Sequence, residues 1–473
     1  MRQALETEQK ALEINLNDKI YGAFNEIGAG QECARNFFQV GAAAGTIAKS
    51  MSAYDKLVSD DIYGPEPRGR YVTEQRLYKM LEYEYSLMSK RLRETRPDTS
   101  FFVFADTVAA INYHRTNKGS GWVGVRFQLV PQGDYNDVVL HVKMHDQDNQ
   151  LQQQAVGVLG VNLIYACFHY HDNPKEMIIS LMDNLQGRIS IDMVRMTGPD
   201  FETLDNRLIS LWMVQYGLTE VATFGPDKRN IHPSEFLYRR PVLVVRGSFR
   251  PATLVNRDML RRGMEMFRQE EDVDERKAFA MTEITLHNLR DGEEAPDEKD
   301  FLDRADVLSA LGQTTVVTDC TLYSKLVEYL KDYKVPVVGI VIGVRELLEL
   351  VGDLYYNHLD GNLFAAFGNV FGKENRFFVY PSFQEGSDEL MTAQNIPIPE
   401  GVRFIYQHLL ERRHIVDIAE FNSDILHIFS KDVLQKIRNG ESGWEEMVPE
   451  QVASLVKQKQ LFGFPVQQIE FDY

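Results

Sequence analysis

The chain has 473 residues, 44% of them hydrophobic and 25% charged, and a formal net charge of −18. That length exceeds one ordinary core and predicts two domains or three, folded throughout. The negative balance excludes binding along a nucleic-acid backbone, which needs a dominant basic face.

At the start, Glu6, Glu8, Glu13 and Asp18 interrupt the apolar positions, unlike the basic start and continuous apolar core of an export signal. Residues 2 to 15 have helical spacing. Tyr21 to Ile27 then leads through Gly28-Ala29-Gly30 into a helical stretch from Gln31 to Val40. A glycine turn feeding a helix presents free amides to a phosphate, but the small residues Gly41 to Gly45 that follow also suit close helix packing. Met51 to Arg70 reads as a structured loop. Thr73 to Thr95 reads as a core-facing helix, with Leu77, Leu81, Tyr85, Met88 and Leu92 at spacings of three and four.

Phe101 to Phe104, Trp122 to Val130 and Val138 to Met144 are strand-like and predict an antiparallel meander. A long apolar helix follows through Val156 to Phe168, ending before Asn173-Pro174. Pro174 to Leu185 reads as a helix, Arg188 to Val194 as a strand, Phe201 to Tyr216 as a helix and Pro241 to Val245 as a buried strand. Residues 1–264 are therefore expected to form an α+β domain built on a mixed sheet.

Acids crowd residues 265–306, which hold 15 acidic side chains against six basic ones and read as a linker or exposed arm. Beyond it, Val316 to Thr318 and Val335 to Ile342 are apolar strands separated by the amphipathic stretches Tyr323 to Asp332 and Arg345 to Leu354. That alternation predicts an α/β domain over 307–473, Rossmann-like, with a parallel sheet covered on both faces. The last residues alternate apolar with polar and keep their aromatics, so Phe462, Phe464, Ile469, Phe471 and Tyr473 are expected to dock on a sheet edge, in this chain or a neighbour. No apolar run approaches the roughly 18 to 20 residues that span a bilayer.

Nine basic residues lie between Lys228 and Arg262, against only Glu235 and Asp258. Arg239, Arg240, Arg246 and Arg250, with Ser248 and with Asp319 beyond the strand Val316 to Thr318, form the candidate anion site, because the guanidinium fork matches phosphate and carboxylate. The same bases can instead pair with the acids of 265–306. Asp319 suits a ribose or metal contact, or a helix N-cap before Thr321. His141 and His145, and His169 with His171, lack a carboxylate at useful spacing, and no metal site is expected. Cys33, Cys167 and Cys320 lie far apart with no CxxC pair, which fits buried thiols in a reducing cytoplasm.

Gly247-Ser248-Phe249-Arg250-Pro251-Ala252-Thr253 resembles the strand-end motif Gly-Ser-Phe-Asp-Pro-x-His-x-Gly-His of adenylyltransferases acting on nicotinate nucleotide. Arg250 stands in place of the acid, Thr253 and Asn256 in place of the histidines, and Val255 in place of the last glycine. Those side chains cannot stabilise a reacting triphosphate. Together with Ala11 to Leu16, Ile20 to Arg35 and Gly41 to Asp55, this stretch resembles an uncharacterised bacterial family of similar length, whose members carry the names TonB-dependent receptor and nicotinate-nucleotide adenylyltransferase. The resemblance implies a cytoplasmic bacterial setting. It supplies neither the strands and export signal of the first name nor the histidines of the second.

Two functions follow as expectations. The first is a self-assembling scaffold or filament subunit, from the segregated charge and the aromatic tail. The second is an enzyme or sensor that binds an anionic metabolite, a nucleotide or phosphate ester, through the arginine cluster.

Overall fold

The computed structural model describes residues 4–66, 69–290, 295–352, 363–384 and 386–465. The chain divides into two compact α/β units, Met1–Ala222 and Thr223–Tyr473. The division falls well before the boundary at residue 264 that the acid content suggested.

Unit 1 is built on six strands: β1 (Ile20–Gly28), β2 (Ile47–Ala53), β3 (Ser100–Ala109), β4 (Gly119–Phe127), β5 (Asn136–Met144) and β6 (Ile189–Thr197). Their order is β2-β1-β3-β4-β5-β6. β1 runs parallel to both β2 and β3, and the predicted antiparallel meander is β3, β4 and β5, extended by β6. Alternate residues of these strands face opposite layers. Phe24, Phe102 and Phe104 pack with α1 (Thr7–Asn15), α2 (Cys33–Gln39) and α5 (Asn149–His169), while Ala23, Val103 and Ala105 pack with α4 (Glu74–Leu92). Burial on both faces is why β3 reads as a nearly unbroken apolar run.

Two readings of this region need correction. Residues 51–70 contain the end of β2 and the helix α3 (Lys56–Tyr63), whose first amides, Leu57 and Val58, donate to the Asp55 carboxylate. The small residues 41–45 form an exposed turn, not a packing surface. Gly41 and Ala42 have φ of +84° and +59°, and a Cβ on Gly41 would meet nothing within 4 Å. The unit is completed by α6 (Pro174–Ser180) and α7 (Asn206–Gln215).

In unit 2, β7 (Val221–Phe224) straddles the division. It is followed by β8 (Val242–Arg246), α8 (Leu254–Arg268), β9 (Phe279–Thr285), α9 (Leu286–Arg290), α10 (Glu298–Ala310), β10 (Thr314–Thr318), α11 (Tyr323–Asp332), β11 (Val338–Gly343), α12 (Val344–Val351), α13 (Leu363–Val370) and β12 (Asn375–Tyr380). The short pair β13 (Ser382–Phe383) and β14 (Leu390–Met391) precedes α14 (Arg403–Glu411), β15 (Ile415–Asp417), α15 (Ser430–Asn439) and α16 (Glu450–Lys459). The main sheet has the order β15-β12-β11-β8-β9-β10-β7, and the pairs from β15 through to β10 are all parallel. The chain steps outward from β8 through β9 to β10, then returns to the other side of β8 as β11. That reversal makes the carboxyl ends of β8 and β11 the topological switch point, where open α/β sheets bind ligands.

The stretch 265–306 is therefore no linker. It contributes β9 beside the central strand and the helix α10, and its acids are used in the fold: Glu283 is fully buried, and Asp306 takes Lys228 and Lys459 at 2.8 and 2.5 Å. The C-terminal stretch also departs from expectation. Leu461–Gly463 form a 3-10 turn in place of a strand, Phe462 is buried, its amide donates to Asp303 at 2.6 Å, and Phe464 meets Trp444. Ile469, Phe471 and Tyr473 lie outside the described residues.

Candidate functional site

At the carboxyl end of β8 the first polar side chain is Arg246. Its guanidinium makes a two-pronged pair with Glu283 of β9, both contacts at 2.9 Å, and donates to the carbonyls of Cys320 and Thr321. It also lies 4.0 Å from the centre of the Tyr323 ring, and Glu283 accepts a further bond from Thr318 of β10 at 2.8 Å. Arg250 pairs with Asp300 at 2.6 Å; Asp300 also holds Arg304, which donates to the carbonyls of Ser248 and Asn288. The two arginines named from sequence are thus fastened to acids of the neighbouring segment, and they fix the loop between β8 and α8.

The other candidates do not all join them. Arg239 and Arg240 precede β8 and sit at the opposite end of the sheet, where Arg240 donates to the Lys277 carbonyl. Ser248 is exposed on the loop. Asp319 is exposed beyond β10, and it does not cap α11, whose N-cap is Leu322 with no side-chain bond. Thr253 and Asn256, which occupy the histidine positions of the adenylyltransferase motif, form the capping box of α8. Their side chains are spent on the helix start, which leaves them no part in phosphoryl chemistry.

The loop itself is strained. Phe249 has φ of +49°, a left-handed conformation costly for a bulky residue, and its ring is buried against Gly247. Behind it lies a cavity of about 260 Å³ between α8 and α10, lined by Phe249, Ala252, Leu260, Leu308 and Leu311, with Asn256, Arg257 and Gln313 supplying polar groups. Arg257 is exposed, and its guanidinium forms no hydrogen bond or ion pair among the described residues, in contrast to Arg246 and Arg250. Sequence reading passed over it, because only its place relative to the cavity distinguishes it from the other bases.

Unit 1 has its own switch point, between β1 and β3, and sequence reading missed it. Glu26 and Asp106 are register partners on those strands, both buried. Glu26 accepts the Cys33 amide at 2.9 Å, and Asp106 accepts the Ile27 amide at 3.2 Å through one oxygen, while the other has no partner. Burial is the main cause that pushes Glu26 up to about 8, against the pull of the Cys33 and Ala34 amides. Burial, then the Glu26 charge, holds Asp106 well above the usual carboxylate range. Burial also raises the Cys33 thiol, and both carboxylates add to it. The available signal was an acid in each of two otherwise apolar runs, Ile20–Gly28 and Ser100–Ala109.

The histidines singled out earlier have separate surroundings. His141 contacts Asp192 at 2.6 Å, His145 contacts Ser190 at 3.0 Å, and His169 stacks on Tyr165 at 4.1 Å. Burial lowers both His145 and His169 below the ordinary imidazole value. Among the described residues no helix is long and apolar enough to cross a membrane.

No family model matches the chain, and no curated protein does. Among solved structures, the competence/damage-inducible protein of Agrobacterium tumefaciens is similar at 16% identity and a TM-score of 0.25, over 35% of this chain and 98% of that one. A competence or damage-inducible protein of Enterobacter asburiae matches at 12% identity and 0.25, over 34% and 96%. A competence-damaged superfamily protein of Escherichia coli matches at 14% identity and 0.23, over 34% and 88%. Likeness of that size carries no function across to this chain.

Proposed function

We propose that unit 2 binds a small anionic metabolite, nucleotide or phosphate ester in character, at the carboxyl edge of its parallel sheet. One observation carries the reading: a cavity behind the strained loop after β8, with an unpaired arginine, Arg257, on its lining. A cavity of about 150 Å³ holds a benzene ring, so one of about 260 Å³ seats a single substituted ring but not a whole nucleotide. The ring enters among Phe249, Leu260 and Leu308, and the anionic group stays outside against the Arg257 guanidinium. Arg246 and Arg250 act by holding the loop.

The reading is one of binding, as in a sensor, and not of adenylyl transfer, because Thr253 and Asn256 are engaged in the helix cap. It is tested by thermal unfolding of the full chain against nucleoside monophosphates, sugar phosphates and aromatic carboxylates. A ligand at a hundred times its Kd adds about 2.7 kcal/mol to the folded state. Arg257→Ala is expected to remove most of that gain while leaving the unliganded midpoint in place. If no compound of these classes stabilises the parent protein, the reading fails.

A further inference from the structure

The outer side of α3 and α4 in unit 1 carries large apolar side chains that stand in solvent. Tyr54, Leu57 and Val58, around the start of α3, are 83%, 70% and 50% exposed. Val58 lies four residues before Ile62, on the same face of α3. Ile62 in turn borders a groove of about 780 Å³ that also takes in Tyr78, Tyr83 and Leu87 of α4. Isolated exposed apolar residues are ordinary, but a ridge that runs into a groove is a contiguous patch of the kind that marks an interaction surface.

The shape of that patch specifies its occupant. Ridge and groove lie side by side on one face, so a two-fold axis beside them lets the ridge of each copy enter the groove of the other. Charge adds to the fit. Asp61 on α3 and Lys90 on α4 are both exposed, and neither has an ion pair among the described residues. A two-fold contact that seats the ridge brings Asp61 of one copy toward Lys90 at the groove of the other. In a chain of net charge −18, such a local match is what allows two like copies to approach.

We propose that this face docks a second copy of the chain, Tyr54, Leu57 and Val58 of each filling the groove between α3 and α4 of its partner. The dimer is independent of the ligand cavity in unit 2. Sedimentation equilibrium of the full chain, from below one to tens of micromolar by order of magnitude, is expected to show a concentration-dependent dimer. Leu57→Glu and Tyr83→Glu are each expected to weaken it by at least about tenfold, and, because both side chains are exposed, without changing the melting curve. Asp61→Lys and Lys90→Asp should each weaken it alone and restore it together. A monomer across the whole range, or a dimer that none of these substitutions moves, would overturn the proposal.

Discussion

Glu26 and Asp106 face each other across two parallel strands with no cation in the hydrogen-bond set of either, so burial opposes the ionisation of both, and the Glu26 charge adds to the rise at Asp106. A carboxyl whose folded value is raised contributes stability that is complete below its unfolded value and is lost as pH rises through its folded value. For Glu26 that window runs from the ordinary 4.5 up to about 8, and Asp106 shifts in the same direction. Unit 1 should therefore weaken between pH 5 and pH 8.5, with a slope approaching roughly 1.4 kcal/mol per pH unit for each proton held. Urea midpoints across that range check the sign, and a flat or rising profile would falsify the buried-acid account. Asp106→Asn removes one of the two raised acids, so the slope should fall to that of a single proton, held by a Glu26 that burial keeps raised. Gly30 belongs to the same arrangement: a Cβ there would lie 2.1 Å from an Asp106 oxygen, so Gly30→Ala must displace that carboxyl and is expected to destabilise by about 1–3 kcal/mol.

Among elements, the ends of β8, β9 and β10 are fastened by one network, Arg246 to Glu283 to Thr318. Glu283 is fully buried, so removing the arginine strands a charge and does more than delete a contact. Arg246→Ala should cost about 3–5 kcal/mol in denaturant unfolding, as buried pairs do when one partner is lost. A cost below about 1 kcal/mol, the size of a surface pair, would show that the network is not structural. This network also shows why β9 escaped sequence reading. Phe279–Thr285 carries an acid, Glu283, and lies in an acid-rich stretch, and only its arginine partner on the adjacent strand makes that acid compatible with a buried sheet. By contrast β11, Val338–Gly343, is apolar on both faces and was legible as a covered parallel strand. β2 was not, because an edge strand half open to solvent carries Lys49, Ser50 and Ser52 and looks like a loop. The candidate site was legible only in its loop. The pairing of Arg246 and Arg250, the freedom of Arg257 and the meeting of Glu26 with Asp106 all depend on contacts between residues distant in sequence.

At the scale of the whole chain, the question is where it can be cut. The two hydrophobic clusters of unit 1 use no residue beyond Leu218, whose carbonyl still accepts the Ile191 amide beside β6. β7 begins at Val221 and belongs to the sheet of unit 2, although the compact division falls inside it. A break between Thr219 and Glu220 therefore leaves each core and each sheet whole, whereas a break after Ala222 divides an edge strand of four residues. Fragments 1–219 and 220–473, produced separately, are expected to fold, each with its own cooperative melt. The fragment beginning at 223 should lose stability by an amount in keeping with half an edge strand, on the order of 1 kcal/mol. The fragments also separate the two functional readings: ligand stabilisation sensitive to Arg257→Ala should stay with 220–473, and self-association sensitive to Leu57→Glu should stay with 1–219. Calorimetry and sedimentation of the two pieces decide both points. Aggregation of either fragment, with native behaviour only on recombination, would show that the units depend on each other for folding.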